Sequence, residues 1–185
     1  DSTILADEVQ NVRAFGSESA QDAVQALVNE RLADLRSMHE VTLEHLRAGA
    51  IQGIILDSDG TTPIYNLFTE FGVGQQTATI DSTAGVRRQI VEAQRLIETE
   101  LGAEPISGFR ALCGDDFFDI LLDASEVQAS FQYQEGSMLR ADLRSGFQFG
   151  GVTWENYRGS VGGVDFFATD EAYLLPEGTS VFSTY

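Results

Sequence analysis

Residues 19–53 read SAQDAVQALVNERLADLRSMHEVTLEHLRAGAIQG, and this stretch decides the fold. Placed at 100° per residue, Val24, Leu27, Val28, Leu32, Leu35, Met38, Leu43, Leu46 and Ala50 fall in a stripe about 160° wide, the signature of an amphipathic helix. Glu30, Asp34, Arg36, Glu40, Glu44 and Arg47 occupy the opposite face. Ser19 followed by Asp22 is an imperfect capping box that opens the helix, and Gly49 to Gly53 close it. About 33 residues at 1.5 Å rise give roughly 50 Å. A compact domain of 185 residues has a radius of gyration of about 16 Å. A flat or elongated subunit is therefore expected, with the helix as a strut and the remainder packed along it.

Upstream, residues 1–16 offer few core positions (Ile4, Leu5, Val9, Val12, Phe15) and read as an arm. Downstream, two apolar runs flank Asp57-Ser58-Asp59-Gly60, which predicts a β-hairpin whose turn uses Gly60 in the left-handed conformation. A second helix is predicted from Ser82 or Thr83, with Val86, Ile90, Ala93, Ile97 and Leu101 on one face, stopped by Gly102 and Pro105. Asp115 to Asp123 reads as a short helix with an acidic first turn, and Ser125 caps another running to about Gln134. From Gly146 the period changes to two: Phe147 and Phe149, then Val152 and Trp154 across the Gly150-Gly151 pair. Further strand-like runs are Val164 to Ala168, Ala172 to Leu175 and Ser180 to Tyr185. Helices followed by strands give an α+β class.

The net charge is −18, with 29 acidic residues against 11 basic ones, all of them arginine. Such a surface repels polyphosphate and anionic membranes, which argues against nucleic-acid recognition driven by counterion release. No run approaches the roughly 20 apolar residues of a membrane-spanning helix, and no basic segment leads into an apolar stretch at the N-terminus. A soluble, non-exported chain is expected. The single cysteine, Cys113, precludes an internal disulfide, suits a reducing compartment and reads as a small core residue. The chain starts at Asp1 rather than Met, which implies an upstream portion removed or not shown.

Chemistry-bearing motifs are sparse. His39 and His45 lie six positions apart, about 120° around the helix, and cannot share a metal as an i, i+4 pair does. Counting a calcium loop from Asp57 puts Thr62 where glycine is needed and Phe68 where the bidentate Glu belongs, so Asp57, Asp59 and Gly60 are read as a structural turn. Gly72-Val73-Gly74 lacks the rest of a dinucleotide fingerprint. Asp115 and Asp116 are adjacent and point apart on a helix. Phe147, Phe149, Trp154, Tyr157, Phe166, Phe167 and Tyr173 lack the basic company of a base-stacking platform, so they read as sheet core. No catalytic residue, cofactor or metal site is expected. The candidate interface residues are Arg87, Arg88, Arg95, Arg140, Arg144 and Arg158, because the guanidinium fork suits bidentate contacts with carboxylates.

Several ordered stretches resemble the lambda-type major capsid protein E family of tailed phages. They are Val9-Gln10-Asn11-Val12-Arg13-Ala14-Phe15-Gly16, Thr42-Leu43-Glu44 leading into Gly49-Ala50-Ile51-Gln52-Gly53, Ile55-Leu56-Asp57-Ser58-Asp59-Gly60, Phe71-Gly72-Val73, Gly114-Asp115-Asp116-Phe117-Phe118 and Gly150-Gly151-Val152-Thr153-Trp154-Glu155-Asn156-Tyr157-Arg158-Gly159. The resemblance implies the Hong Kong 97-type fold: residues 1–18 the end of an N-terminal arm and extended-loop region, 19–80 a peripheral domain with spine helix and hairpin, and 81–185 mainly an axial domain. Family members carry an arm and extended loop before this region and further strand sequence after it, so the chain reads as a truncated view. Some relatives of the fold weld subunits through a lysine–asparagine isopeptide bond, and a segment without lysine cannot donate that amine.

The function so implied is a major capsid structural protein, not an enzyme. It self-assembles into the hexamers and pentamers of an icosahedral virion head around DNA, and is assembled in the host cytoplasm. Decoration, scaffolding and portal proteins are the implied partners, DNA is a non-specific neighbour, and no membrane is involved. The alternatives are an encapsulin-like cellular shell protein and a small cation-dependent acidic hydrolase built on Asp57, Asp59, Asp115 or Asp116.

Overall fold

The computed structural model describes residues 20–83, 85–133 and 146–179. The chain divides into two compact units, residues 1–47 and 48–185. The first unit contributes most of helix α1, Ala20–Gln52. Ser19, the expected cap, lies outside the described residues. Along α1, Arg36 pairs with Glu40 at 2.9 Å, one turn on. On its apolar stripe Leu32, Met38 and Leu43 are 58%, 66% and 50% exposed among the described residues. Periodicity reports which residues share a face; it does not supply the surface that covers it.

The second unit begins with the buried last turns of α1 at Ala48 and Gly49. Strand β1, Ile54–Leu56, pairs antiparallel with β2, Pro63–Asn66. Between them the Gly60 N–H donates to the Asp57 carbonyl at 2.9 Å and the Asp57 N–H to the Thr62 carbonyl at 2.8 Å, with Gly60 at φ 68°. Helix α2, Leu67–Phe71, is capped by the Asn66 side chain, which accepts the Thr69 N–H at 3.1 Å.

Helix α3, Val86–Leu101, starts later than its sequence suggests. Asp81 engages both the N–H (2.9 Å) and the hydroxyl (2.6 Å) of Thr83 in a local turn, so the threonine is spent before it can cap. Gly102 ends the helix at φ 62° with its N–H on the Glu98 carbonyl. Strand β3, Gly108–Cys113, follows, then α4, Asp115–Asp123, and α5, Ser125–Tyr133. Strands β4, Phe147–Phe149, and β5, Val152–Asn156, form a tight hairpin through Gly150 and Gly151, at φ 66° and 82°. Two consecutive positive φ angles suit this two-residue turn and glycine supplies both without strain. Strands β6, Ser160–Val161, and β7, Val164–Asp165, make a small ribbon, and β8, Ala172–Glu177, completes the set. The expected strand at Ser180 to Tyr185 lies outside the described residues.

The main sheet has the order β4-β5-β3-β8, with β3 parallel to β5 and antiparallel to β8. Its central strand β3 is the one that sequence reading passes over. Phe109, Ala111 and Cys113 alternate inward, but Arg110 and a half-buried Leu112 occupy the other face and blur the period. Pro176 sits on β8, the edge strand of the described sheet, where a residue without an N–H is tolerated. One face of the sheet packs on Val86 and Ile90 of α3, Phe118 and Leu121 of α4 and Val127 of α5. Phe147 meets both Phe118 and Phe131 edge-on at 5.5 Å between ring centres. The Trp154 indole N–H is satisfied by the Phe149 carbonyl at 3.0 Å. Mixed helix and sheet around this core make the chain α+β.

Candidate functional site

The predicted interface arginines do not gather in one place. Arg140 and Arg144 lie outside the described residues. Arg158 forms a local pair, its Nη2 3.0 Å from Asp115 Oδ2 at the start of α4. Arg87, Arg88 and Arg95 stand exposed on α3. Arg88 reaches Glu92 on its own helix at 2.9 Å, with 84% of the arginine side chain exposed. Arg87 and Arg95 make no ion pair with any described residue.

The α3 N-terminus is built against local preference. Its cap is Gly85 at φ 70°, without a side-chain bond, and its first turn holds Arg87 and Arg88 but no acid. Cations there oppose the helix dipole. The compensation comes from α5: the Glu126 carboxylate accepts the Gly85 N–H at 2.8 Å and the Arg87 N–H at 3.1 Å.

At the hairpin, Asp59 Oδ1 accepts the N–H groups of Thr61 and Thr62, each at 2.8 Å, and Oδ2 accepts the Thr62 hydroxyl at 2.6 Å. Donors aimed at the ionised form lower its pKa to about 2, the Thr62 hydroxyl foremost. Asp59 is thus occupied with its own turn, while Asp57 Oδ1 accepts the Ser58 N–H at 2.7 Å and its Oδ2 has no partner among the described residues. Asp115 is tied to Arg158, Asp116 is exposed, and no group of three or more ligating His, Cys, Asp or Glu side chains exists among the described residues. His39 is exposed and His45 half-buried. Cys113 is fully buried, and desolvation raises its thiol pKa to about 12, which keeps it protonated and inert.

Sequence reasoning missed Arg110. From the middle of β3 its Nε donates to Glu177 Oε1 on β8 at 2.6 Å, and its Nη1 pairs with Glu155 Oε1 on β5. One guanidinium thus joins three adjacent strands, and the Glu177 bond followed by the Glu155 charge raises its pKa further. The available signal was its place between Phe109 and Ala111, but the partners lie 45 and 67 positions away.

A cleft of about 540 Å³ in the second unit is lined by apolar side chains including Ile80, Ile97, Trp154 and Leu174. The titratable groups on its wall are Asp170, Glu171 and Tyr173. The Tyr173 hydroxyl donates to Glu171 at 2.6 Å, and burial, then that bond, pushes the phenol pKa up. Such a phenol is a poorer nucleophile than a free one. No described helix is long and apolar enough to cross a membrane.

No curated protein matches this chain. The family model for phage major capsid protein E matches it over residues 1–185. The chain therefore belongs to the phage major capsid protein E family, and is a structural protein of the bacteriophage virion, located in its capsid.

Proposed function

We propose that this chain is the repeating subunit of an icosahedral phage head, self-assembling into hexamers and pentamers that enclose the DNA genome. On this reading the subunit has the Hong Kong 97-type fold. Residues 1–18 end its arm and extended-loop region, 19–80 form a peripheral domain around α1 and the hairpin, and 81–185 form mainly an axial domain. The role is structural rather than catalytic.

The observation that carries the reading beyond family membership is the exposure of large apolar side chains on several elements: Met38 on α1 at 66%, Phe71 on α2 at 73%, Val164 on β7 at 67%. Exposed apolar side chains of this size are surface that contact with other subunits can cover. Identical subunits associate around capsomer axes through head-to-tail contacts that close into rings. With a charge of −18 the subunits repel one another, so salt or divalent cations promote assembly. The same charge suits a shell that surrounds DNA without gripping it. Decoration, scaffolding and portal proteins are the candidate partners of such a head.

Electron microscopy of the full-length chain across a salt and magnesium titration tests this. Capsomers or closed shells are the expected result. A monodisperse monomer under every condition, at high protein concentration, overturns it.

A further inference from the structure

Between Ala48 and Val86 the chain contains no arginine, lysine or histidine, and its acids there are Asp57, Asp59, Glu70 and Asp81. The same segment leaves Ile64, Tyr65, Phe71 and Val73 exposed by 47%, 57%, 73% and 56%. The lobe formed by β1, β2 and α2 therefore presents apolar side chains among acids that have no counter-ion: neither Asp57, Asp59 nor Glu70 joins an ion pair among the described residues.

The opposite pattern occurs on α3. From Val86 to Ile97 there are three arginines and one glutamate, in a chain whose balance is otherwise strongly acidic. Arg88 and Arg95 are seven residues apart, about 20° around the axis and roughly 10 Å along it, so they share one face. Leu96, 40% exposed, lies next to Arg95 in sequence. Two of these arginines stand in the first turn, where they oppose the dipole and leave Glu126 to satisfy the N–H groups. A local rule broken at a cost points to a requirement elsewhere.

We infer that the acidic, apolar lobe of one copy docks on the arginine-bearing first turns of α3 of a neighbouring copy. The contact unites two different surfaces, so it is heterologous and can propagate around a ring. Arg88 is not withheld by its partner Glu92, because an exposed i, i+4 pair is weak and exchanges readily. Asp57 and Glu70 supply the carboxylates, while Asp59 maintains the turn beneath them. The apolar side chains provide the buried area and the charges set the register and the choice of partner.

The inference rests on the capsid reading, and a charge swap in the full-length chain separates the two. The acidic side is reversed with Asp57→Arg and Glu70→Arg, leaving Asp59 in place, and the basic side with Arg88→Glu and Arg95→Glu. Each reversed chain, with folding verified by circular dichroism, is expected to lose about tenfold or more in assembled fraction by sedimentation. Mixing the two is expected to recover most of it. Glu70→Cys with Arg95→Cys is expected to give covalent oligomers under oxidation, and this cross-link decides the matter where a reversed chain fails to fold. If wild-type shells form and the reversed chains assemble equally well, the docking surface is wrong and the capsid reading stands. If the wild type never associates, both fall.

Discussion

The Glu126 carboxylate takes the backbone N–H of Gly85 at 2.8 Å, linking α5 to the start of α3 across 41 positions of sequence. It is a helix cap delivered from elsewhere in the fold, at a terminus whose own residues provide none. Glu126→Ala leaves two donors without their acceptor and is expected to cost about 1–2 kcal/mol, within the range of lost caps. Glu126→Gln keeps one acceptor oxygen and is expected to lose less. Urea denaturation of the two variants measures the difference.

Gly114 is required for space rather than for its backbone angles. Its φ is −68° and ψ 163°, which any residue adopts, but a Cβ there would overlap the Ala168 carbonyl and meet the Thr169 Cα at 2.6 Å. Gly114→Ala is expected to cost about 1–3 kcal/mol, as overpacking does, with the loss appearing as a lower Tm.

Arg110 pairs with both Glu155 and Glu177, and removing it takes that shared partner from two acids on one face of the sheet. The side chains are 42%, 30% and 38% exposed, so solvent screens the network. Arg110→Leu is expected to cost about 1 kcal/mol at low salt and less at high salt. Arg110→Lys retains the charge but not the fork and is expected to recover only part of the loss.

Burial of Cys113 carries a pH signature. The folded-state pKa is raised from 9.0 to about 12, so above pH 9 the unfolded chain releases a proton that the folded chain keeps. The stabilisation is therefore complete below pH 9 and is lost as pH climbs toward 12, at about 1.4 kcal/mol per pH unit. The raised phenol of Tyr173 acts in the same direction at higher pH. Urea midpoints between pH 8 and 11 are expected to fall more steeply for the wild type than for Cys113→Ala. Thiol reagents at pH 8 are expected to label Cys113 only after unfolding.

Asp59 has the opposite sign. Its pKa is depressed to about 2 by donors from Thr61 and Thr62, so its contribution is present above the ordinary carboxylate value of 3.8 and disappears as pH falls through 2. An NMR acid titration is expected to find the Asp59 carboxyl titrating near pH 2, and Thr62→Val, which removes the hydroxyl donor, is expected to move it upward.

Much of the chain's architecture is legible in its sequence. The long helix was legible because its stripe repeats over nine turns, its observed end at Gln52 falling inside the expected Gly49 to Gly53 close, and Gly102 marked the end of α3. The β4–β5 hairpin was legible because period two flanks a glycine pair. What escaped were features without a local signature. Strand β3 alternates, but Arg110 and Leu112 on its outer face obscure the pattern. Helix α3 begins past Thr83 because Asp81 captures that residue first. Of the interface arginines, α3 exposes three, while Arg158 is engaged by Asp115.

The amino-acid sequence by itself determined the four longer helices, the tight turns, the charge of −18 and the family, but not the short helix α2. Each is written locally: a 3.6-residue period, a glycine where φ must be positive, a count, an ordered set of short stretches. Only the tertiary structure decided that β3 lies between β5 and β8, that Arg110 joins three strands, and that Glu126 caps a helix it does not belong to. Those outcomes depend on which surfaces meet, and chain neighbours do not choose them. Strand order and burial are set by the total free energy of packing distant segments, to which no short window of residues has access.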